Sequence, residues 1–259
     1  MCTPGENTLT YQDHFAENSS QYLEHRPQYP DELFDFITSL VPEKTLVWDC
    51  GTGNGQAALA LAQRFKQVVA SDINQAQLDV APQKANIEYH CWPAEKTALL
   101  DNSVDLITVA QALHWFDLEK FYQEVKRVAK PAGVIAVWCY SLGKISPAID
   151  KIYRDFYFNI VGEYWPMERR YIDEKYQTIL FPFTRVPTPQ FTLQKELTLQ
   201  QLIGYLNTWS VVKSYQKQHH ANPIDLIYRQ LVSAWGSSND KKIMQWPVHL
   251  ICGKILPSI

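Results

Sequence analysis

Apolar and polar positions along the chain predict strands that alternate with helices. Five short apolar runs bounded by polar or turn-forming residues occur at residues 46–48, 67–72, 86–91, Val104–Ala110 and 134–140. Apolar runs without strict alternation are typical of strands buried on both faces of a parallel sheet. Residues 57–62 are rich in Ala and Leu, and residues 118–128 carry apolar positions at helical spacing. The first 140 residues therefore predict an α/β fold.

The pattern changes after residue 143. Residues 144–190 carry many bulky aromatic side chains and several prolines, and helical spacing is clear only over residues 147–161. We interpret this segment as an insertion that caps a ligand site, because aromatic side chains exclude water and their ring faces attract cations. A strand at residues 191–197, a helix capped by Thr198, a helix at residues 223–235 and a strand at residues 248–255 follow.

Composition and charge exclude several classes of function. The chain has 259 residues, 46% of them hydrophobic, and a net charge of −3, which fits one α/β domain with no electrostatic attraction to nucleic acid or anionic lipid. Five widely spaced cysteines without a C-x-x-C pair favour free thiols in a reducing cytoplasm over a disulfide framework or a metal site. No apolar run is long enough to span a membrane.

A glycine-rich turn after the first predicted strand is the strongest candidate for a ligand site. Asp49 ends the strand, and Gly51, Gly53 and Gly55 follow at alternate positions before the Ala-rich helix. A dinucleotide fingerprint would require glycine where Gln56 stands. The Asp49 carboxylate would also repel a pyrophosphate, whereas it would attract a ligand that carries an ammonium group.

The D-x-G-x-G-x-G text resembles motif I of class I S-adenosylmethionine-dependent methyltransferases. This resemblance implies S-adenosylmethionine as the cofactor. It also implies a Rossmann-like, seven-stranded, mostly parallel sheet with helices on both faces and a final reversed β-hairpin. The chain would form one domain, with an N-terminal helical flap (residues 11–40), a cofactor-binding core (41–142), the cap insertion (143–190) and a C-terminal part (191–259).

Spacing and resemblance together assign the cofactor residues. Asp72 follows Gly51 by 21 residues, which suits a carboxylate that accepts hydrogen bonds from a ribose diol, and Ile73 would form a wall for adenine. The Y-x-x-x-R-P-x-Y-P text resembles a flap whose arginine, Arg26, meets the methionine carboxylate, and Ala94–Glu95 resembles the segment beside the adenine amine. The full set is Tyr22, Arg26, Asp49, Gly51, Thr52, Gly53, Asp72, Ile73, Ala94, Glu95, Gln111 and Ala112.

The acceptor side is expected at the end of the fourth strand, where A-x-x-x-H-W-F resembles methyltransferases that act on small molecules. The expected substrate residues are Tyr29, His114, Trp115, Tyr140 and Trp209. A carboxylate acceptor would need cationic partners, for which Arg169, Arg170, Lys213 and His114 are candidates. An alcohol or phenol would need a general base instead, and His114 is the candidate catalytic residue.

We expect a methyltransferase that modifies a small molecule, similar to the group that includes trans-aconitate methyltransferases. A carboxylate acceptor is favoured because it needs no base. No metal, nucleic acid or membrane is expected to take part, and the protein should be a cytoplasmic monomer or weak homodimer. Three alternatives remain open: a nicotinamide-dependent oxidoreductase, a methyltransferase acting on a macromolecule, and a non-catalytic S-adenosylmethionine-binding protein.

Overall fold

The computed structural model describes residues 26–237 and 239–255 and places eight strands in one sheet. The strands are β1 (Leu46–Cys50), β2 (Gln67–Ser71), β3 (Ile87–His90), β4 (Val104–Ala110), β5 (Ala129–Tyr140), β6 (Thr184–Val186), β7 (Phe191–Leu197) and β8 (Lys242–Lys254). The helices are α1 (Asp31–Ser39), α2 (Gln56–Leu61), α3 (Gln75–Leu78), α4 (Leu118–Val128), α5 (Pro147–Asp155), α6 (Arg170–Asp173), α7 (Leu199–Asn207), α8 (Ser210–His219) and α9 (Asp225–Trp235).

The order of the strands places a crevice near the middle of the sheet. The order is β3-β2-β1-β4-β5-β8-β6, and β7 also pairs with β8. Strands β1 to β5 are parallel, whereas β8 is antiparallel to β5, β6 and β7. The chain runs outward in opposite directions from β1 and β4, and such a switch point opens a ligand crevice at the carboxyl ends of the strands.

Both faces of the sheet are covered, as the unbroken apolar runs predict. Val47 and Trp48 are fully buried neighbours on β1, and they belong to different core clusters because successive side chains of a strand point to opposite faces. Phe34 of α1 packs in the Val47 cluster, and Phe121 of α4 packs in the Trp48 cluster. The Rossmann-like α/β prediction is therefore confirmed.

Several details of the prediction are wrong. The sheet has eight strands rather than seven, because β6 and β7 both pair with different lengths of the 13-residue strand β8. The last two strands are antiparallel, but they do not form a direct hairpin, since α7, α8 and α9 lie between them. α1 begins at Asp31, and Pro30 occupies its N-cap position without a side-chain hydrogen bond.

The predicted cap insertion contains short helical pieces. After α5 the chain makes one π-helical turn, Phe156–Ile160, then 3-10 turns at Gly162–Tyr164 and Met167–Arg169, and then α6. The first part of the predicted flap, including Tyr22, lies outside the described residues. Within the described ranges, no helix is both long and apolar enough to cross a membrane.

Candidate active site

A cavity opens at the carboxyl ends of β1, β2 and β4, where the sequence places the site. Polar residues and the glycine turn form one part of its wall, and aromatic residues from β5, the cap and α7 to α8 form the other. The lining residues used below are Arg26, Tyr29, Gly51, Thr52, Gly53, Asn54, Asp72, Asn74, Gln111, Ala112, His114, Trp115, Tyr140, Trp165, Arg169, Tyr205 and Trp209.

The glycine turn allows a close approach of the backbone to other groups. Gly51 has φ +66°, and a Cβ atom there would lie 2.6 Å from the Cβ of Ala112, so a side chain does not fit. Gly53 has φ +56° and lines the cavity, and a Cβ atom there would have the Gln77 side chain, at 3.8 Å, as its nearest neighbour. The open space in front of Gly53 is a cradle that a ligand can fill.

Asp49 supports this turn through a hydrogen bond from Thr52. Its carboxylate is fully buried and accepts hydrogen bonds from Thr52 Oγ1 at 2.6 Å and Thr108 Oγ1 at 2.7 Å. Burial raises its pKa to about 6, although both threonine hydrogen bonds act in the opposite direction. Asp49 does not line the cavity, so the expectation that its carboxylate meets a ligand ammonium group directly is corrected: the strand end turns this side chain into the core.

Asp72 lies at the end of β2 and lines the cavity, as predicted. Its Oδ2 atom accepts from the Gly53 N–H at 2.8 Å, and its Oδ1 atom accepts from the Asn74 N–H at 2.9 Å. Burial raises the pKa of Asp72. A carboxylate has about four acceptor positions, so both oxygen atoms can still accept from a diol.

Two side-chain amides that line the cavity lack hydrogen-bond partners among the described residues. Asn54 Nδ2 and Asn74 Nδ2 are buried without a hydrogen bond to any described residue, and both residues line the cavity. Buried amide donors are nearly always satisfied in native proteins. A polar ligand in the cavity would satisfy them. Neither asparagine is predicted as a site residue from the sequence, because an asparagine near a turn is more often a turn former.

Three predicted cofactor residues do not line this cavity. Glu95 accepts a hydrogen bond from the Asp117 N–H at 2.9 Å and thereby joins two loops. Ala94 is buried in the core cluster that contains Trp48, and Ile73 is half-buried beside Cys91. The other described members of the predicted set, apart from Asp49, line it.

Arg26 and Tyr140 meet across the cavity. Arg26 Nη1 donates to Tyr140 Oη at 2.7 Å, and the guanidinium carbon lies 5.5 Å from the centroid of the Tyr205 ring. Gln111 has φ +58°, and its Oε1 atom accepts from the Tyr140 N–H at 2.8 Å. The structure therefore brings together Arg26, Gln111 and Tyr140, which were all expected site residues. Arg26 lines the cavity, as a contact with the methionine carboxylate would require.

Aromatic rings enclose the other end of the cavity. The predicted residues Tyr29, Trp115 and Trp209 line it together with Trp165 and Tyr205, which were not predicted as site residues. The Trp209 ring centroid lies 5.7 Å from the centroids of both Trp165 and Tyr205. Such a wall excludes water and offers ring faces to a cation.

Arg169 is the cationic residue that the cap contributes. Its Nε atom donates to Tyr157 Oη at 2.7 Å, and its guanidinium carbon lies 4.6 Å from the Trp165 ring centroid. The Arg169 Nε atom lies 4.0 Å from Asp173 Oδ1, and the Arg169 side chain is only 20% exposed. Of the four candidate carboxylate partners, Arg169 and His114 line the cavity, whereas Arg170 and Lys213 do not.

His114 is nearly buried and lines the cavity. Its Nδ1 atom lies 2.9 Å from Tyr176 Oη. Burial, and secondly the charge of Arg169, lower its pKa to about 3. A group with that pKa accepts a proton poorly at neutral pH, so the structure does not favour the expected role as a general base.

Comparisons with known proteins agree with this geometry. Residues 48–137 match the family model described as a methyltransferase domain. A Dictyostelium discoideum protein named as a methyltransferase is 36% identical over 98% of this chain and 99% of its own. A Saccharomyces cerevisiae protein named as an S-adenosylmethionine-dependent methyltransferase is 26% identical over 79% of this chain and 83% of its own.

Solved structures give the same result. A type II methyltransferase from Anaeromyxobacter dehalogenans is 36% identical, with a TM-score of 0.84 over 90% of this chain and 99% of that chain. A methyltransferase from Bacillus halodurans shares the fold alone, at 18% identity and a TM-score of 0.51. The finer resemblance to trans-aconitate methyltransferases stays a prediction.

The described residues fit the predicted cofactor. Asp72 suits a ribose diol, Arg26 suits a carboxylate, and Gly53 leaves room for a ligand. The amides of Asn54 and Asn74, which have no partner in the described part of the chain, supply donors. S-adenosylmethionine carries no phosphate group, which agrees with the buried carboxyl group of Asp49 behind the glycine turn. The glycine turn, the strand-end acid, the switch-point cavity and the relatives together show that the chain belongs to the class I S-adenosylmethionine-dependent methyltransferases.

Proposed function

We propose that this enzyme methylates the carboxylate of a small-molecule acceptor. The observation that supports this proposal most directly is the charge balance of the cavity wall. Arg26 and Arg169 are the lining cations, and Asp72 is the one acidic residue among the described lining residues. One guanidinium can pair with the methionine carboxylate of the cofactor, which leaves the other for an anion on the acceptor.

Arg169 is the residue that we assign to the acceptor. It comes from the cap, on the aromatic side of the cavity, whereas Arg26 precedes α1 and contacts Tyr140. The Tyr157 hydroxyl and the Trp165 ring hold the guanidinium in place. A guanidinium fixed in this way binds a carboxylate with little loss of side-chain entropy.

The chemistry requires alignment more than acid–base groups. S-adenosylmethionine supplies a sulfonium-bound methyl group, which a nucleophile accepts as the carbon–sulfur electron pair passes to sulfur. A carboxylate is already deprotonated at neutral pH, so no residue has to remove a proton. The aromatic wall keeps water away, and Arg169 would orient the acceptor. The pKa of His114, about 3, is consistent with a reaction without a general base.

The test is a panel of small acids and matched neutral compounds. Benzoate, phenylacetate, succinate and maleate are incubated with S-adenosylmethionine, with benzamide and phenol as neutral counterparts, and S-adenosylhomocysteine release is measured. We expect turnover with at least one acid and none with its neutral counterpart. Turnover of the neutral compounds alone, or of no compound while the cofactor binds, would overturn the carboxylate assignment.

Replacement of Arg169 tests the same assignment within the protein. Arg169→Gln should raise the acceptor KM by roughly ten- to a hundredfold, as expected for a lost charged hydrogen bond of about 1.5–3 kcal/mol. Arg170→Gln is the matched control, because Arg170 is exposed and does not line the cavity. Cofactor affinity by calorimetry should be similar in both variants. An equal acceptor KM in both variants would contradict the role of Arg169.

We also place the enzyme in the cytoplasm, as a monomer or weak homodimer. Four cysteines, Cys50, Cys91, Cys139 and Cys252, are free thiols, which suits a reducing compartment. Light scattering coupled to size-exclusion chromatography at micromolar protein would test the assembly state. A stable higher oligomer would contradict it.

A further inference from the structure

A strained turn in the cap places a tyrosine against His114. Lys175 and Tyr176 follow α6 and both adopt left-handed backbone conformations, with φ +60° and +58°. Such values cost non-glycine residues roughly 1–2 kcal/mol each, so the surrounding structure must hold them in place. The turn inserts the Tyr176 ring fully into the core, with its centroid 6.0 Å from that of His114.

The partners available to the Tyr176 hydroxyl determine the direction of its hydrogen bond with His114. The Tyr176 side chain is fully buried, so its hydroxyl hydrogen has to find an acceptor inside the protein. Within the described residues, His114 Nδ1, at 2.9 Å, is the one acceptor that the structure offers to the hydroxyl hydrogen. A fully buried hydroxyl that does not donate would lose a hydrogen bond. The hydroxyl therefore donates to Nδ1.

This direction fixes the tautomer of the imidazole. A neutral histidine carries one proton, and if Nδ1 accepts, Nε2 carries that proton. Burial and the nearby Arg169 charge keep the ring neutral. Nε2 makes no hydrogen bond to a described residue, and the ring lines the cavity beside Trp115 and Arg169. His114 thus offers the cavity a neutral N–H donor.

We propose that Tyr176 is a positioning residue that holds His114 as the Nε2–H tautomer, so that His114 donates a hydrogen bond to the methyl acceptor. This inference rests on the proposed function only for the identity of the acceptor group. A neutral donor beside a guanidinium suits an oxygen anion, because it orients the oxygen without competing for the methyl group. The opposite tautomer would present a lone pair, which repels an anion.

The first test reads the tautomer without any acceptor. Long-range ¹H–¹⁵N NMR spectra of the free protein at pH 7 should show His114 protonated at Nε2, and His114→Gln identifies the resonance. Tyr176→Phe keeps the ring but removes the hydroxyl, so its spectrum should show a mixture of tautomers in a folded protein. Protonation of wild-type His114 at Nδ1, or an unchanged tautomer in Tyr176→Phe, would overturn the proposal.

The second test uses amides that mimic the two ring nitrogens. A glutamine amide can reach the Nε2 position, whereas an asparagine amide stands near Nδ1. With the acid of the panel that turns over, His114→Gln should keep the acceptor KM within about threefold, and His114→Asn should raise it about tenfold, the effect of one lost hydrogen bond. Tyr176→Phe should raise it about three- to tenfold, with kcat less affected.

These outcomes separate the inference from the proposed function. If no acid of the panel turns over but the spectra show the Nε2–H tautomer and its loss in Tyr176→Phe, the carboxylate assignment fails and the role of Tyr176 stands. If acids turn over but His114→Asn and His114→Gln have equal acceptor KM values, the donor role of His114 fails and the proposed function stands.

Discussion

Two aspartates at the ends of neighbouring strands, Asp49 and Asp72, differ in their hydrogen-bond partners and in whether they face the cavity. Asp49 on β1 is enclosed by the hydroxyls of Thr52 and Thr108 and does not reach the cavity. Asp72, just after β2, accepts from two backbone N–H groups and faces the cavity. Asp49 therefore supports the shape of the glycine turn, whereas Asp72 is placed where we expect it to contact the cofactor.

The buried Asp49 should make the protein less stable as pH rises. Its folded-state pKa of about 6 lies above the ordinary value of 3.8, so the folded protein binds the extra proton between these values. Asp49→Asn removes this titration without changing the size of the side chain. We compare the free energy of unfolding of the variant with that of wild type. This difference should shift by about 2 kcal/mol in favour of the variant when the pH is raised from 4.5 to 7.5.

Urea unfolding of both proteins at the two pH values measures this difference. Only the change between pH values is interpreted, because the amide also alters the threonine hydrogen bonds. A difference that stays constant with pH would show that the Asp49 carboxyl does not titrate in this range.

Asp72→Asn should weaken cofactor binding. The amide keeps one acceptor oxygen but loses the charge, so S-adenosylhomocysteine affinity should fall by about 1–3 kcal/mol in calorimetric titration. Asp79→Asn is the matched control, because Asp79 follows α3 and is exposed. Equal affinities of the two variants would remove Asp72 from the cofactor site.

At the residue scale, local motifs were predictable and distant pairs were not. The spacing after Gly51 predicted that Asp72 reaches the crevice, because strand ends in a parallel sheet share one edge. Tyr176 meets His114 across 62 residues, and Arg169 enters the cavity through a cap of irregular turns. No periodicity in the sequence encodes contacts of this kind.

At the element scale, a substitution in the glycine turn should reduce cofactor affinity more than it reduces stability. Gly53→Ala places a methyl group in open space at φ +56°, so the free energy of unfolding should fall by about 1–2 kcal/mol from backbone strain. The same methyl group would lie where the cofactor approaches the backbone. Calorimetry should therefore show a loss of S-adenosylhomocysteine affinity larger than this change in stability.

Gly162→Ala provides the comparison for the turn. Gly162 lies in the cap, has no positive φ, and a Cβ atom there would be 3.6 Å from the Tyr157 carbonyl oxygen, an ordinary contact. This variant should bind the cofactor normally. If Gly53→Ala also binds normally, the cofactor does not approach the turn at Gly53.

Elements bounded by strong sequence features were predicted well. The buried run Val104–Ala110 forms β4 with the predicted bounds, and Thr198 caps α7 through a capping box with Gln201. β5 begins at Ala129 rather than 134, because residues 129–133, which precede the predicted apolar run, continue the strand through a register shift against β4. β8 begins six residues earlier than predicted, at Lys242, since pairing with β7 extends it beyond its apolar part.

For the molecule as a whole, the cofactor should act as a stabiliser. S-adenosylhomocysteine at a hundred times its Kd should raise the free energy of unfolding by about 2.7 kcal/mol, or Tm by roughly 5–10 °C for a chain of this size. NAD at the same concentration should leave Tm unchanged. A shift with NAD instead would return the nicotinamide alternative to consideration, and the Asp72→Asn variant should show a reduced shift.

The position of β8 beside β5 has a consequence for how such enzymes change. The chain leaves β5 after Tyr140 and enters the neighbouring strand β8 at Lys242, with Trp138 opposite Leu250. Residues 141–241, which include Trp165, Arg169, Tyr176 and Trp209, form one segment between these two paired strands, and its own strands β6 and β7 also pair with β8. We expect that selection or an engineer can change the acceptor preference through this segment while the sheet edge that carries the glycine turn and Asp72 stays the same.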